Sequence, residues 1–99
     1  MVLDISKGKL PPQAVELEEG VIGAMLIDER GVLEGSQILF PDVFYKPAHQ
    51  IIYSAIETLI STSDPVDLMT VSEILRKKGN LEKVGGDFYL VGLSQKVSS

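Results

Sequence analysis

The stretch Phe40-Pro41-Asp42-Val43-Phe44-Tyr45-Lys46-Pro47-Ala48-His49-Gln50-Ile51-Ile52-Tyr53 decides the fold class. Phe40-Pro41-Asp42 breaks whatever precedes it, and Val43-Phe44 fits one tight turn. Pro47 then suits the first turn of a helix, where the N–H that proline lacks has no intrahelical partner anyway. Ala48, Ile51, Ile52, Ala55, Ile56, Leu59 and Ile60 follow at i, i+3 and i+4 spacing, a wide apolar stripe. Isoleucine favours strands, but no two-residue alternation appears, so the spacing predicts a helix. Phe44 and Tyr45 read as a pair of core anchors, with the Tyr45 hydroxyl reaching a partner near the surface. His49 has no carboxylate three or four residues away to orient it. Its ring is expected to pack beside Phe44 or Tyr45 rather than to act as an acid or base.

Outward toward the N-terminus, residues 1–9 read as a flexible tail, and Leu10-Pro11-Pro12 sets up a first helix. Ala14, Val21, Ile22, Met25 and Leu26 give it an apolar face. Glu16, Glu18 and Glu19 sit near its positive end and read as a solvated acidic edge. Gly20 and Gly23 either admit another helix closely or are merely tolerated. Asp28-Glu29-Arg30-Gly31 turns the chain into a shorter helix, about residues 30–39, with Val32, Leu33, Ile38 and Leu39 inward.

Toward the C-terminus, Ser61-Thr62-Ser63-Asp64-Pro65 forms a polar loop. Thr70 and Glu73 have the spacing of a capping box, with Met69 and Ile74 as its staple. Asp67 reads as a turn residue bonding its own backbone. Gly79 stops that helix after Lys77-Lys78. Asn80–Val84 suits one helical turn, and Gly85-Gly86 opens a last helix with Tyr89, Leu90, Leu93 and Val97 inward. Phe88 and Val91 point to a different side of it. Such a pair marks a second packing neighbour or a partner site, unless the 80–84 turn folds over it. The expected fold is all-α, a small orthogonal bundle of five or six short helices over residues 10–99.

Ninety-nine residues make one domain, and 44% apolar with 23% charged residues is ordinary for a globular chain. The absence of cysteine removes disulfide and thiolate chemistry and suits a reducing compartment. No apolar run is long enough to span a membrane, and the start lacks the form of a signal peptide. Fourteen acidic residues face nine basic ones, for a net charge of −5. Phosphate-binding surfaces need the opposite balance, so direct contact with nucleic acid is not expected. The one dense basic cluster, Arg76-Lys77-Lys78, sits where cations complement a helix C-terminus.

Catalytic constellations are missing. Ser6-Lys7-Gly8-Lys9 lacks the glycine spacing and the final Ser or Thr of a phosphate loop, and Gly85-Gly86 is too short to cradle phosphate. A single histidine builds neither a triad nor a histidine metal cluster. Asp64 and Asp67 lack the central glycine and closing glutamate of a calcium loop. Phe44 and Tyr45 lack the basic groove of a base-stacking platform. No catalytic, cofactor-binding or metal-binding residues are expected, and the partner-binding candidates are Phe88 and Val91.

Phe44-Tyr45 with His49, then Asp67-Leu68 with Thr70, then Gly85-Gly86 with Tyr89-Leu90, in that order, resemble the N-terminal domain of DnaB-type bacterial replicative DNA helicases. The resemblance runs from about Leu10 to Val97. It implies a non-catalytic interaction and assembly domain in the collar of a hexameric ring. The implied partners are other helicase subunits, primase and a helicase loader, with no membrane. The implied setting is the bacterial cytoplasm, near the nucleoid. That family continues into a helical hairpin, a linker and a RecA-like ATPase, so ATP, magnesium and unwinding are expected of residues beyond Ser99. The rival reading is a helix-turn-helix-like DNA-binding domain over Thr70–Gly92. Its recognition helix, Asp87–Gln95, would carry an acid and no arginine, which argues against base readout.

Overall fold

A computed structural model describes residues 14–96. Five α-helices follow one another among them: α1 (Val15–Ile27), α2 (Glu29–Gly35), α3 (Pro47–Ser61), α4 (Leu68–Lys77) and α5 (Gly86–Lys96). A 3-10 turn over Pro41–Val43 precedes α3, and another over Glu82–Val84 precedes α5. The described residues contain no strand, so the fold is all-α. The expected N-terminal tail, the Leu10-Pro11-Pro12 helix entry and the inward Val97 lie outside the described residues. None of the described helices is long and apolar enough to cross a membrane.

α3 is the centre of the core, as its stripe predicts. Ile52 and Ile56 have no exposed surface, and Ala55 and Leu59 are buried beside them. Ala48, Ile51 and Ile60 flank this group as partly buried neighbours. Tyr53, outside that stripe in the sequence, is also buried; its ring lies 5.4 Å from that of Phe44, and its hydroxyl donates to the Leu39 carbonyl at 3.2 Å. α1 packs chiefly against α5 and α2, while α3 packs against α4 and both 3-10 turns. Ile22, Met25 and Leu26 of α1, Val71 and Leu75 of α4 and Leu90 and Leu93 of α5 close the core.

Several local expectations are corrected. The second helix ends at Gly35, earlier than expected, and starts at Asp28, whose carboxylate accepts the Arg30 N–H at 2.9 Å. Val32 and Leu39 do pack on the core, but Leu33 and Ile38 are exposed, Ile38 by 75%. A helix this short has one buried side, and the turn after it carries Ile38 off that side. Tyr45 is not a core anchor: it is 46% exposed, and only Phe44 is buried. Nothing approaches the Cβ position of Gly20, so it serves no close helix contact, whereas Gly23 is buried.

The start of α4 is also displaced from the Thr70–Glu73 reading. Asp67 is the N-cap: its carboxylate accepts the Thr70 N–H at 2.9 Å, and the Thr70 hydroxyl accepts the Asp67 N–H at 3.0 Å. Thr70 is thus the third helical residue of a capping box begun by Asp67. The staple positions belong to Val66 and Val71, both on the core, while Met69 is 80% exposed. The far end stops as predicted. Gly79, at φ 73°, donates to Arg76, and Asn80 donates to Leu75 at 2.8 Å, a Schellman closure.

Candidate functional site

The chain's one histidine is at the centre of its most organised polar cluster. Glu18 stands four residues before Ile22 and seven before Met25, so the α1 helix turns it inward with them. It is fully buried, as is His49 on the first turn of α3. The Glu18 carboxylate accepts the Tyr45 N–H at 2.7 Å and the Lys46 N–H at 3.3 Å. The same carboxylate lies 2.8 Å from His49 Nδ1. On its other side, His49 Nε2 lies 2.6 Å from the hydroxyl of Tyr89 on α5. Lys46 Nζ donates to that hydroxyl at 3.1 Å and sits 4.6 Å from the centre of the Tyr89 ring.

Donor and acceptor accounting sets the protons. The Glu18 carboxylate only accepts, so Nδ1 is the protonated nitrogen of a neutral His49. Nε2 is left to accept the Tyr89 O–H, while the Tyr89 oxygen accepts from the Lys46 ammonium. The arrangement is complete with His49 neutral. Burial lowers the His49 pKa from its ordinary 6.5, against the hydrogen bond and charge of Glu18, which pull it up. Among the described residues no buried side-chain polar atom lacks a partner. The cluster joins α1, the entry to α3 and α5. With no exposed surface, the imidazole meets no substrate; its chemistry is that of a tie.

Two expectations are corrected here. His49 does have an orienting carboxylate, supplied by Glu18 from 31 residues away. Glu18 does not belong to a solvated edge, although Glu16 is exposed. Its neighbour Glu19 pairs with Lys96 of α5 at 2.7 Å. The available signal was register, since Glu18 shares the apolar stripe of α1. Of the two expected ring neighbours of the histidine, Phe44 is present, with ring centres 6.4 Å apart in a T-shaped arrangement.

The second candidate is a surface. Phe88 is 91% exposed and Val91 is exposed as well. The Glu82–Val84 turn does not cover them. Phe88 stands two residues before the buried Leu90, roughly 200° around the helix, and so faces away from the core. A Cβ on Gly85 would lie 2.9 Å from that of Tyr89, so the loop is pressed against the residue that enters the buried chain. Val91 lines a shallow groove with Met69, Arg76 and Asp87. Phe88 borders an apolar groove on the other side of Tyr89, with Gly92 and Leu93. Asp87, the acid of the rival recognition helix, accepts the Ser72 hydroxyl of α4. Among the described residues, no three His, Asp or Glu side chains converge as metal ligands.

The chain folds into a small all-α bundle, tied internally by a buried Glu–His–Tyr chain and apolar on part of its α4–α5 surface. The chain belongs to the DnaB-like helicase N-terminal domain family, whose model matches residues 10–99. It is 47% identical over 92 residues to the replicative DNA helicase DnaB of Rhodothermus marinus, covering 93% of this chain and 10% of that protein. It is 39% identical over 94 residues to the replicative DNA helicase DnaC of Bacillus subtilis, covering 95% of this chain and 21% of that one. The chain thus spans about a fifth of those relatives' length or less. The crystal structure of the N-terminal domain of DnaB helicase from Mycobacterium tuberculosis superposes with a TM-score of 0.83 at 38% identity. That match covers 88% of this chain and 60% of that one. The family match over residues 10–99 assigns α4, the turn and α5 to this domain.

Proposed function

We propose that this domain is a non-catalytic assembly and interaction module at the N-terminal side of a hexameric, ATP-driven replicative DNA helicase. Copies of it build the collar of the ring, and its surface recruits primase and a helicase loader during DNA replication in the bacterial cytoplasm, at the nucleoid. ATP and magnesium belong to a motor domain elsewhere in such a protein. Family membership over residues 10–99 carries the reading. The exposed apolar side chains Met69, Phe88 and Val91 support it, because such side chains grouped on one region mark contact surfaces. The net charge of −5 supports contact with protein rather than with phosphate.

Phe88→Ser, made both in this chain and in the longer helicase, tests the reading. The isolated chain keeps its stability within about 0.5 kcal/mol, as expected at an exposed position. The longer protein loses hexamer stability, or its response to primase, in native mass spectrometry and ATPase assays. Unchanged assembly and unchanged primase response would remove Phe88 from the contact surface. Binding of single-stranded DNA by the isolated chain tighter than about 10 μM at physiological salt would overturn the protein-contact reading.

A further inference from the structure

The buried chain has a direction, and that direction depends on one proton. With His49 neutral, hydrogen bonds run from Lys46 Nζ to Tyr89, from Tyr89 to His49 Nε2, and from His49 Nδ1 to Glu18. Each oxygen and nitrogen has a matched partner. If His49 takes up a proton, Nε2 becomes a donor aimed at the Tyr89 oxygen, which Lys46 already occupies. Two cations then face one phenol oxygen, and the Tyr89 proton has to leave the line between the rings. Tyr89 is partly exposed and lines the groove beside Phe88 and Gly92, so that proton has a way out.

We propose that Lys46, Tyr89, His49 and Glu18 form a proton-operated latch that holds α5 against α1 and the entry to α3. While His49 is neutral the latch is closed. Proton uptake reverses the hydrogen bond at Tyr89, drives Lys46 away and loosens α5.

The charged and titratable groups around His49 are few and come from every element packed on it. α1 brings Glu18 and Glu19, the α3 entry brings Lys46, and α5 brings Tyr89. Phe44 adds only an apolar ring edge. Burial and Lys46 disfavour the protonated form, whereas Glu18 and Glu19 favour it, and burial is the largest effect. The latch therefore stays closed at neutral pH and opens on acidification. The proposal is independent of what binds the α5 surface.

The experiment is an NMR titration of the whole 99-residue chain between pH 8 and 5, reading the His49 ring nitrogens and the exchange of backbone amides. At pH 8 the ring is in the Nδ1–H tautomer, with Nε2 as an acceptor. As pH falls, exchange of α5 amides, normalised to the intrinsic rate at each pH, accelerates. The gain reaches about tenfold for each unit by which the His49 midpoint lies below 6.5, because opening restores the solvated pKa. Amides of α4 that exchange by local opening, below the energy of global unfolding, do not follow, because α4 has no member in the latch. Lys46→Met retains an unbranched apolar stem over the Tyr89 ring and removes the charge. It raises the His49 midpoint and shrinks the α5 response. An Nε2–H tautomer at pH 8 overturns the latch. So does titration of His49 without a change in α5, equal acceleration of locally exchanging amides in α4 and α5, or a midpoint indifferent to Lys46→Met.

Discussion

Glu18→Gln is the sharpest perturbation of this domain, since it changes one buried atom and no volume. The carboxylate serves three donors, the Tyr45 and Lys46 N–H groups and His49 Nδ1–H. An amide has one acceptor and one donor end, so it cannot serve all three. With its oxygen toward His49, the NH2 group faces the Tyr45 N–H across the 2.7 Å now bridged by a hydrogen bond. With its oxygen toward Tyr45, the NH2 group faces His49, which must move its hydrogen to Nε2. That places a second donor on the Tyr89 oxygen beside Lys46. Either way one buried donor goes unpaired, at about 1–3 kcal/mol, and charge-assisted bonds become neutral ones at about 1 kcal/mol more. The expected loss is about 2–4 kcal/mol, a large share of the stability of a small domain. Urea melts at pH 8 measure it, with Glu16→Gln as the exposed control, expected to cost under about 0.5 kcal/mol. A Glu18→Gln loss no larger than the control's would mean that water replaces these bonds, and the tie between α1 and α3 would be refuted.

Stability should fall as pH drops below about 6.5, because the unfolded chain takes up a proton that folded His49 resists. The stabilisation is complete above the unfolded pKa and is lost as pH falls toward the lower folded one. The slope is at most about 1.4 kcal/mol per pH unit, and His49→Gln should flatten it in urea midpoints taken from pH 8 to 5. Ile52→Ala and Ile56→Ala, both at positions without exposed surface, should each cost roughly 2–4 kcal/mol in the same melts. A loss under about 0.5 kcal/mol at both would put α3 the wrong way round. Asp67→Ala and Thr70→Ala should each cost about 1 kcal/mol, and Thr70→Ser very little, because each residue supplies one half of the capping box. Harmless Asp67→Ala would return the helix start to Thr70.

The parts of this fold legible from sequence are those whose causes lie within a few residues. The α3 stripe, the proline at its start, the Gly79 stop and the paired glycines before α5 act over one or two helical turns, and all are where the sequence puts them. Local cues failed where two residues competed for one role. Thr70 and Asp67 both suit an N-cap, and the choice came from how Val66 and Val71 reach the core. Tyr45 and Phe44 are adjacent, and only one of them can face inward. The buried chain left one local signal, the register of Glu18 on the apolar stripe of α1. Glu18, His49 and Tyr89 are 31 and 40 residues apart, and none has a partner near it in sequence. Tertiary packing alone brings a carboxylate, an imidazole and a phenol to one dry point. There the cost of an unpaired polar atom makes their mutual arrangement obligatory. The sequence by itself therefore determined which segments are helices and which family they compose. The packing of α1 and α5 around the α3 entry decided that its only histidine is a tie rather than a bystander.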